Sequence, residues 1–297
     1  NIDATGVFGM KTPKDALDMQ NYIKTEGVSS AVVIGAGLIG MECAEAFANW
    51  GLDVTIIEMQ GSIFPQVLDA EMGAVFQNYL EGEDLNFMLN TKVEKILVNE
   101  EGKVSGVQTD KGAVDAQLVL VAVGVRPQVQ LAVDAGLEVE KAIIINDHCQ
   151  TSDPDIYAAG DCVMTTNLVS GQRVYSPMGS TANRQGRVIG TNITGGDATH
   201  PGVVQTAVCK MFDWSLGAVG LSERVAKQLG YDTVTAIVPG PDITHFMPGK
   251  KLIMTRLLAD RATGRILGVQ IVGPGKVDKR IDTMVAAITF GVTAKQL

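Results

Sequence analysis

Three glycines at fixed spacing and one distant acid carry the clearest chemical signal in this sequence. Gly35, Gly37 and Gly40 follow the pattern G-x-G-x-x-G, and Glu58 comes 18 residues after the last of them. Such a turn lets backbone N–H groups approach a pyrophosphate, and an acid at that distance can accept hydrogen bonds from ribose hydroxyls. The spacing therefore indicates a dinucleotide-binding site that is built largely from backbone.

Each position of this turn has its own physical role. Gly35 permits the tight turn, Gly37 lets the backbone approach the pyrophosphate, and Gly40 allows a helix to pack closely on a strand. The N–H groups of Leu38 and Ile39 begin that helix, and its positive end faces the phosphates. A short glycine pattern also occurs in turns without a ligand, so the surrounding elements decide between the two interpretations.

Those elements occur in the required order. Residues 29–34 form a short apolar run rich in β-branched side chains, which predicts a strand buried on both faces. A helix is predicted over Leu38–Trp50 with Gly51 as its left-handed cap, and a second strand over Leu52–Ile57 ends at Glu58. Strand, turn, helix and acid together favour the dinucleotide site over an acid that is merely exposed at a strand end.

Glu58 also predicts which nicotinamide cofactor binds. Its carboxylate would repel the 2′-phosphate of NADPH, and residues 59–62, Met-Gln-Gly-Ser, contain no cation that could hold that phosphate. We therefore predict that the site prefers NADH.

The remaining pattern predicts an α/β fold with domains over residues 1–123, 124–200 and 201–297. The first domain combines a parallel sheet with a small β-meander, the second ends in a helix, and the third is a strand-rich α+β layer. Further helices are predicted over Pro13–Lys24, Asp69–Glu81, Ser180–Ile193, Ser222–Leu229 and Val277–Phe290. Further strands are predicted over Leu85–Leu89, Val93–Val98, Lys103–Thr109, Ala113–Ala116, Gln117–Val123, Ala142–Ile145, Ile156–Ala159, Thr206–Met211, Ser215–Gly220, Tyr231–Val238, Lys251–Leu258 and Ile266–Ile271.

Composition excludes several classes of protein. A formal charge of −9 with no run of Lys or Arg argues against binding to nucleic acid. The longest apolar run, Leu118–Val125, is far shorter than the roughly 20 residues that cross a bilayer, so we expect no membrane span. The four cysteines lie far apart without a C-x-x-C pair, which predicts no metal site and reduced thiols in a cytoplasmic protein.

Four motifs in series resemble one family. They are Gly35-x-Gly37-x-x-Gly40-x-Glu42-x-x-Glu45, Gly124-Val125-Arg126-Pro127, Thr151-Ser152-Asp153-Pro154-Asp155-Ile156-Tyr157-Ala158-Ala159-Gly160-Asp161 and Val277-Asp278-Lys279-Arg280-Ile281-Asp282. Together they resemble the FAD-dependent pyridine nucleotide-disulfide oxidoreductases, in the branch of NADH oxidases, coenzyme A-disulfide reductases and persulfide reductases. The resemblance implies a Rossmann-like NAD(H)-binding domain, the carboxy-terminal half of an FAD-binding domain and a carboxy-terminal dimerisation domain.

The resemblance also implies a second cofactor, FAD. It assigns to Asp161 a hydrogen bond with a ribityl hydroxyl, which suits a carboxylate exposed beside a glycine. It places Gly124 and Met178 at the cofactor, and it points the backbone of Gly179 and Ser180, at the start of a helix, toward the flavin pyrimidine ring. The positive end of that helix would stabilise the charge of the reduced flavin.

Two positions relate to catalysis under the same resemblance. Glu42 matches a glutamate that pairs with a lysine beside flavin N5, and an acid in the first turns of a helix is also ordinary capping chemistry. Where many relatives carry a tyrosine that covers the flavin, this sequence has Leu38. The chain begins with Asn1, and we expect its flavin-anchoring segment and the redox-active cysteine to lie upstream.

The expected activity is a flavoprotein oxidoreductase that passes hydride from NADH through FAD to a disulfide, persulfide, peroxide or oxygen. A homodimer is expected, with a small molecule or a small redox protein as electron acceptor. Two alternatives stay open: an NADH-dependent reductase of rubredoxin or ferredoxin, and a nucleotide-binding dimerisation fragment without catalysis. The acceptor is not fixed by the sequence because one fold supports several acceptors.

Overall fold

The computed structural model describes residues 1–297 and contains two five-stranded sheets, each covered by helices. The elements in the first part of the chain are β1 (Val7–Phe8), α1 (Pro13–Glu26), β2 (Ser30–Ile34), α2 (Leu38–Asn49), β3 (Asp53–Ile57), α3 (Ala70–Glu81), β4 (Leu85–Met88), β5 (Val93–Val98), β6 (Val104–Thr109), β7 (Gly112–Asp115) and β8 (Leu118–Val121). Those in the remainder are α4 (Gln130–Asp134), β9 (Met164–Thr166), β10 (Arg173–Tyr175), α5 (Gly179–Asn192), β11 (Ala207–Met211), β12 (Trp214–Gly220), α6 (Glu223–Gln228), β13 (Thr233–Pro241), β14 (Leu252–Asp260), β15 (Ile266–Gly273) and α7 (Val277–Thr289).

The first sheet is parallel throughout, with strand order β1-β8-β2-β3-β4. Its central strands read as continuous apolar runs because both of their faces are covered. One face packs against α1, α2 and α3 in a core of 26 buried residues, and the other packs against the antiparallel meander β5-β6-β7. The predicted parallel sheet with a β-meander is confirmed.

Helix α1 shows how local sequence sets an element boundary. Thr12 accepts a hydrogen bond from the N–H of Asp15, and the Asp15 carboxylate accepts one from the N–H of Thr12 over 2.7 Å. Pro13 occupies the first helical position, and Gly27 ends the helix in the left-handed conformation with φ of 62°. These residues satisfy backbone groups that the helix itself leaves unpaired.

The segment that follows the first sheet differs from the prediction. The strands expected over Ala142–Ile145 and Ile156–Ala159 do not form, and only isolated bridges occur there, such as Ile143 with Val163 and Gln150 with Tyr157. A strand requires a continuous ladder of backbone hydrogen bonds, and these runs make only single bridges with other residues of the chain. The two predicted strands are therefore wrong, whereas α5 forms as expected.

The second sheet is antiparallel, with order β11-β12-β15-β14-β13. Every residue of β15 is buried, because its strand lies in the middle of the sheet and α7 packs on one face. This layer confirms the predicted carboxy-terminal α+β architecture. No helix in the structure has the length and apolar character needed to cross a bilayer.

The two sheets share apolar contacts rather than facing each other across solvent. Cys209, Leu216 and Val272 from the second sheet belong to the same core as the helices of the first. The rings of Tyr79 and Trp214 stack across this boundary, with centroids 4.5 Å apart and planes 10° from parallel. The first sheet and the carboxy-terminal layer are therefore packed as one body on this side.

A buried arginine adds an ionic contact at the same boundary. Arg256 on β14 has a side chain that is only 3% exposed, and its guanidinium pairs with Asp69 at 3.3 Å, with Glu71 at 3.1 Å and with Glu223. Gln270 donates to Asp69 over 2.8 Å. Three carboxylates compensate the buried guanidinium, so a variant without Arg256 would leave these carboxylates without their shared cation.

Candidate functional site

The glycine turn has the close packing that its sequence predicts. Gly35 has φ of +106°, and a Cβ at this position would lie 2.5 Å from the carbonyl oxygen of Ala122. A Cβ at Gly40 would lie 2.1 Å from the carbonyl oxygen of Gly35. Neither position can hold a side chain without movement of backbone, so the turn and helix α2 are fixed against β2 and the residue after β8.

The start of α2 is open to a ligand. A Cβ built at Gly37 would meet no atom within 4 Å, and no side chain caps the helix. The N–H groups of Leu38 and Ile39 precede the first intrahelical bond, which runs from Met41 to the carbonyl of Gly37. Unpaired N–H groups and the positive helix end form a site for an anion such as a pyrophosphate.

Glu58 is held against the same turn. One carboxylate oxygen accepts a hydrogen bond from the N–H of Ala36 over 2.9 Å, and the other accepts from the N–H of Gln60 over 2.8 Å. The residue is 9% exposed. The carboxylate is thus oriented by backbone before any nucleotide binds, and its remaining lone pairs can accept from ribose hydroxyls.

A cleft of about 880 Å³ joins this site to the middle segment and to the second sheet. It is a size that holds a drug-sized or larger ligand. Eight of the predicted site residues line it: Gly35, Gly37, Leu38, Ile39, Glu58, Gly124, Asp161 and Met178. Gly40, Glu42, Gly179 and Ser180 are not part of the lining.

Asp161 reaches the cleft on a turn of 3₁₀ helix, Gly160–Cys162, and not at the end of a strand as the sequence suggested. The turn starts at Gly160 in the left-handed region, with φ of +81°. The Tyr175 hydroxyl donates to the carbonyl oxygen of Asp161 over 2.9 Å. The Asp161 carboxylate is exposed and accepts no hydrogen bond from the chain, so it is free to bind a hydroxyl group.

Helix α5 begins close to this turn. Met178 is its N-cap and lines the cleft, but no side chain caps the helix. Gly179 and Ser180 form the exposed first turn. Their N–H groups are therefore available to a ligand that carries negative charge.

Glu42 lies outside the cleft, on an exposed part of α2. Its carboxylate accepts a hydrogen bond from the thiol of Cys209 over 3.4 Å. The neighbouring Glu45 accepts from the N–H of Phe212 over 2.8 Å. In this chain the two acids join α2 to β11 and to the residue that follows it. The role expected for Glu42 at a flavin stays a prediction.

Three of the four cysteines are poor nucleophiles. Burial raises the pKa of the Cys43 and Cys149 thiols to about 11. Burial, and then the nearby Glu42 carboxylate, raises the pKa of Cys209 to about 12. Cys162 is half-buried, and its thiol donates to the carbonyl oxygen of Ala159 over 3.3 Å. Because the thiolate is the reactive form, none of the three buried thiols suits redox chemistry at neutral pH.

Several residues of the cleft were missed by the sequence analysis. Tyr175, Lys92, Arg224 and Gln270 line it, although each comes from a different part of the chain. No local motif marks them, because their proximity follows from the packing of the second sheet and of the middle segment against the first sheet.

Comparison with known proteins identifies two family regions. Residues 2–186 match the pyridine nucleotide-disulphide oxidoreductase family, and residues 206–297 match the dimerisation domain of pyridine nucleotide-disulphide oxidoreductases. The chain is 38% identical to an NADH oxidase of Methanocaldococcus jannaschii over 99% of its residues, which is 65% of that protein. It is 37% identical to an NAD(P)H coenzyme A polysulfide/persulfide reductase of Pyrococcus horikoshii, again over 99% of the chain and 66% of the relative. The chain thus spans just under two thirds of the length of these curated relatives.

Solved structures of the same family are also similar to this chain. The NAD-dependent persulfide reductase from A. fulgidus superposes with a TM-score of 0.96 at 42% identity, covering 100% of this chain and 55% of that one. The water-forming NADH oxidase from Lactobacillus brevis bound to NADH gives a TM-score of 0.93 at 27% identity, covering 100% of this chain and 65% of that one. With more than half of its residues matched and its glycine turn, parallel sheet and antiparallel layer in place, the chain belongs to the pyridine nucleotide-disulphide oxidoreductase family.

Proposed function

We propose that the protein containing this chain is an NADH-dependent flavoprotein oxidoreductase that passes hydride through FAD to a disulfide, persulfide, peroxide or oxygen acceptor. One observation carries the proposal. The glycine turn with Glu58 and the Asp161 turn with Met178 lie more than a hundred residues apart in sequence but line a single cleft. Two cofactors bound at these two places would meet there, as hydride transfer between them requires.

In this chain, backbone N–H groups and the carboxylate of Glu58 would hold NADH. The N–H groups at Gly37, Leu38 and Ile39 would bind the pyrophosphate, with the helix dipole of α2 adding to the attraction. Glu58 would accept hydrogen bonds from the adenine ribose and repel a 2′-phosphate. Since backbone N–H groups fix both Glu58 oxygens, the acid needs no rearrangement to do so.

The residues of the middle segment fit an FAD. Asp161 presents a carboxylate without a partner, and α5 presents an uncapped start at Gly179 and Ser180. The first would hold a sugar hydroxyl, and the second would stabilise negative charge on the flavin ring. FAD, when bound, accepts the hydride and passes electrons on. Gly124 and Met178 are proposed as further cofactor contacts because both line the cleft.

The class of electron acceptor is narrowed by the named relatives of the chain. The buried cysteines, with pKa values raised to about 11 or 12, are unsuited to act as the redox thiol. Relatives are named NADH oxidase and NAD(P)H coenzyme A polysulfide/persulfide reductase, which points to dioxygen or a persulfide. A cytoplasmic location is also proposed, because the four cysteines form no disulfide within the chain.

A homodimer is part of the proposal. It is supported by the match of residues 206–297 to a dimerisation domain. Large apolar side chains also remain exposed in this region of the single chain, namely Phe246, Leu252 and Phe290. An interface between two copies of the chain would remove such side chains from water. Sedimentation of the full-length protein is expected to give twice the mass of one chain, and a monomer would contradict the proposed interface.

Anaerobic stopped-flow spectroscopy of the full-length protein tests the proposed activity. The purified protein is expected to be yellow, and NADH should bleach the flavin absorbance in one fast phase. Addition of dioxygen or of a persulfide should restore the absorbance, and the faster of the two identifies the acceptor class. Protein that binds NADH but carries no flavin would contradict the proposal and favour a nucleotide-binding module without catalysis.

A further inference from the structure

Gln185 is a polar residue with complete burial on a helix that serves the proposed flavin site. It is 0% exposed and lies on the buried face of α5 together with Thr181 and Val188. Its side-chain oxygen accepts a hydrogen bond from the N–H of Gly160 over 2.8 Å. Its side-chain nitrogen has no partner in the chain. Burying a polar amide with one unpaired group is unfavourable, so the hydrogen bond of Gln185 to Gly160, more than apolar packing, distinguishes this residue.

The hydrogen bond between Gly160 and Gln185 affects the backbone direction at the next residue, Asp161. Gly160 has φ of +81°, and its carbonyl oxygen accepts from the N–H of Val163 over 3.2 Å, which closes the turn that carries Asp161. Gln185 accepts from the N–H of the same residue, which belongs to the preceding peptide unit. With both backbone groups of Gly160 engaged, the direction in which the chain enters Asp161 is determined.

Two further contacts hold this turn against its surroundings. A Cβ at Gly160 would lie 3.3 Å from the Cβ of Ala182, so α5 lies directly beside the turn. On the cleft side, the Tyr175 hydroxyl donates to the carbonyl oxygen of Asp161. Among these contacts, the Gln185 bond is the one that ties the turn to α5 by a directional interaction.

We infer that Gln185 is a positioning residue that locks the Asp161 turn to helix α5, so that the Asp161 carboxylate and the start of α5 meet the flavin cofactor as one preorganised unit. This inference rests on the proposed FAD site. Its physical basis is that a cofactor bound by two separate elements loses less entropy when those elements are already fixed relative to each other. Gln185 itself acts through Asp161 and is given no contact with the cofactor.

The test uses Gln185→Met in the full-length protein. Methionine keeps the volume of the side chain but cannot accept the hydrogen bond. The expected result is FAD binding weakened by about tenfold, as the loss of one buried hydrogen bond predicts, with NADH binding unchanged. FAD affinity is measured by flavin fluorescence on reconstitution, and NADH affinity by quenching of its own fluorescence. The side chain in Gln185→Asn is one methylene too short to reach Gly160, so this variant should show the same loss of FAD affinity. It replaces Gln185→Met if that variant aggregates.

Hydrogen–deuterium exchange gives a readout that does not depend on the cofactor. In the wild type, the amide of Gly160 should be protected, and in Gln185→Met it should exchange faster while the strands of the parallel sheet keep their protection. The control is Gln117→Met, at an exposed glutamine whose side chain also accepts from a backbone N–H, that of Ser29, over 2.8 Å. This control should leave both FAD binding and exchange at Gly160 unchanged.

The outcomes separate this inference from the proposed function. Wild-type protein that fails to bind FAD would overturn both. Wild-type protein that binds FAD, with Gln185→Met binding it equally tightly, would overturn the positioning role alone. Weakened FAD binding without faster exchange at Gly160 would also overturn it, because the effect would then not pass through the turn.

Discussion

The Glu58 carboxylate and the N–H of Ala36 are joined by a hydrogen bond of 2.9 Å across the mouth of the glycine turn. Ala36 lies between Gly35 and Gly37, so the acid that would select the ribose also holds the loop that would bind the pyrophosphate. Two parts of the proposed nucleotide site are therefore coupled through a single carboxylate. If Glu58 binds the ribose as proposed, it is structural as well as selective.

The first prediction concerns this dual role. Glu58→Gln removes the charge and places an amide donor opposite one of two backbone N–H groups, so NADH affinity should fall by about tenfold. NADPH affinity should fall less, because the repulsion of its 2′-phosphate is lost. Dissociation constants of both nucleotides are measured by fluorescence. Glu100→Gln, at an exposed turn, is the control, and an unchanged NADH to NADPH ratio in Glu58→Gln would contradict the assignment.

The second prediction contrasts two glycines of the turn. Gly40→Ala should lower the melting temperature, since its Cβ would lie 2.1 Å from the backbone oxygen of Gly35. Gly37→Ala should leave the melting temperature nearly unchanged but weaken NADH binding, because its Cβ enters open space that the pyrophosphate would occupy. Calorimetry and nucleotide titration separate the two effects. Equal loss of stability in both variants would refute the proposed division of roles.

The third prediction concerns the buried Arg256. Arg256→Met should lower the free energy of unfolding by about 3–5 kcal/mol, because Asp69, Glu71 and Glu223 lose their shared cation. Arg261→Met is the matched control: Arg261 pairs with Asp232 on an exposed surface, and its loss should cost less than about 1 kcal/mol. Urea unfolding measures both values. A similar small cost for the two variants would show that the Arg256 cluster does not join the two sheets.

The fourth prediction is a pH dependence caused by the buried thiols. Folding raises the pKa of Cys209 from 9.0 to about 12 and of Cys43 and Cys149 to about 11. Because the unfolded thiols ionise first, their contribution to stability is complete below about pH 9 and is lost as the pH rises through 11 and 12. Each thiol should contribute a slope approaching about 1.4 kcal/mol per pH unit in this range.

Urea unfolding between about pH 8 and 11 measures that slope. Cys209→Ala should make the decline shallower, and Cys162→Ala, at a half-buried position, serves as the control. In the native protein at neutral pH, iodoacetamide should modify Cys162 well before the other three, as mass spectrometry can show. Equal labelling of all four thiols would contradict the burial that raises their pKa values.

Local patterns in the sequence were sufficient for most elements of the fold. Strand β2 and helix α2 begin and end within one residue of their predicted bounds, because a doubly covered strand leaves a continuous apolar run and a packed helix leaves apolar residues at helical spacing. The runs at Ala142–Ile145 and Ile156–Ala159 have the same signal and do not form strands. Composition predicts that a segment can pair but not whether a partner strand lies beside it. The domain boundaries at residues 123 and 200 stay predictions.

What the sequence alone determined is the chemistry that lies within one supersecondary unit: the glycine turn, the helix that follows it and Glu58 at the end of the next strand. Which distant groups share a site depends on how the elements pack. The cleft that joins Glu58 to Asp161, the bond from Gly160 to Gln185 and the carboxylates around Arg256 all connect residues far apart in the chain. The physical reason is that turns and helices follow from neighbouring residues, whereas polar pairs between separate elements exist only once apolar burial has packed those elements together.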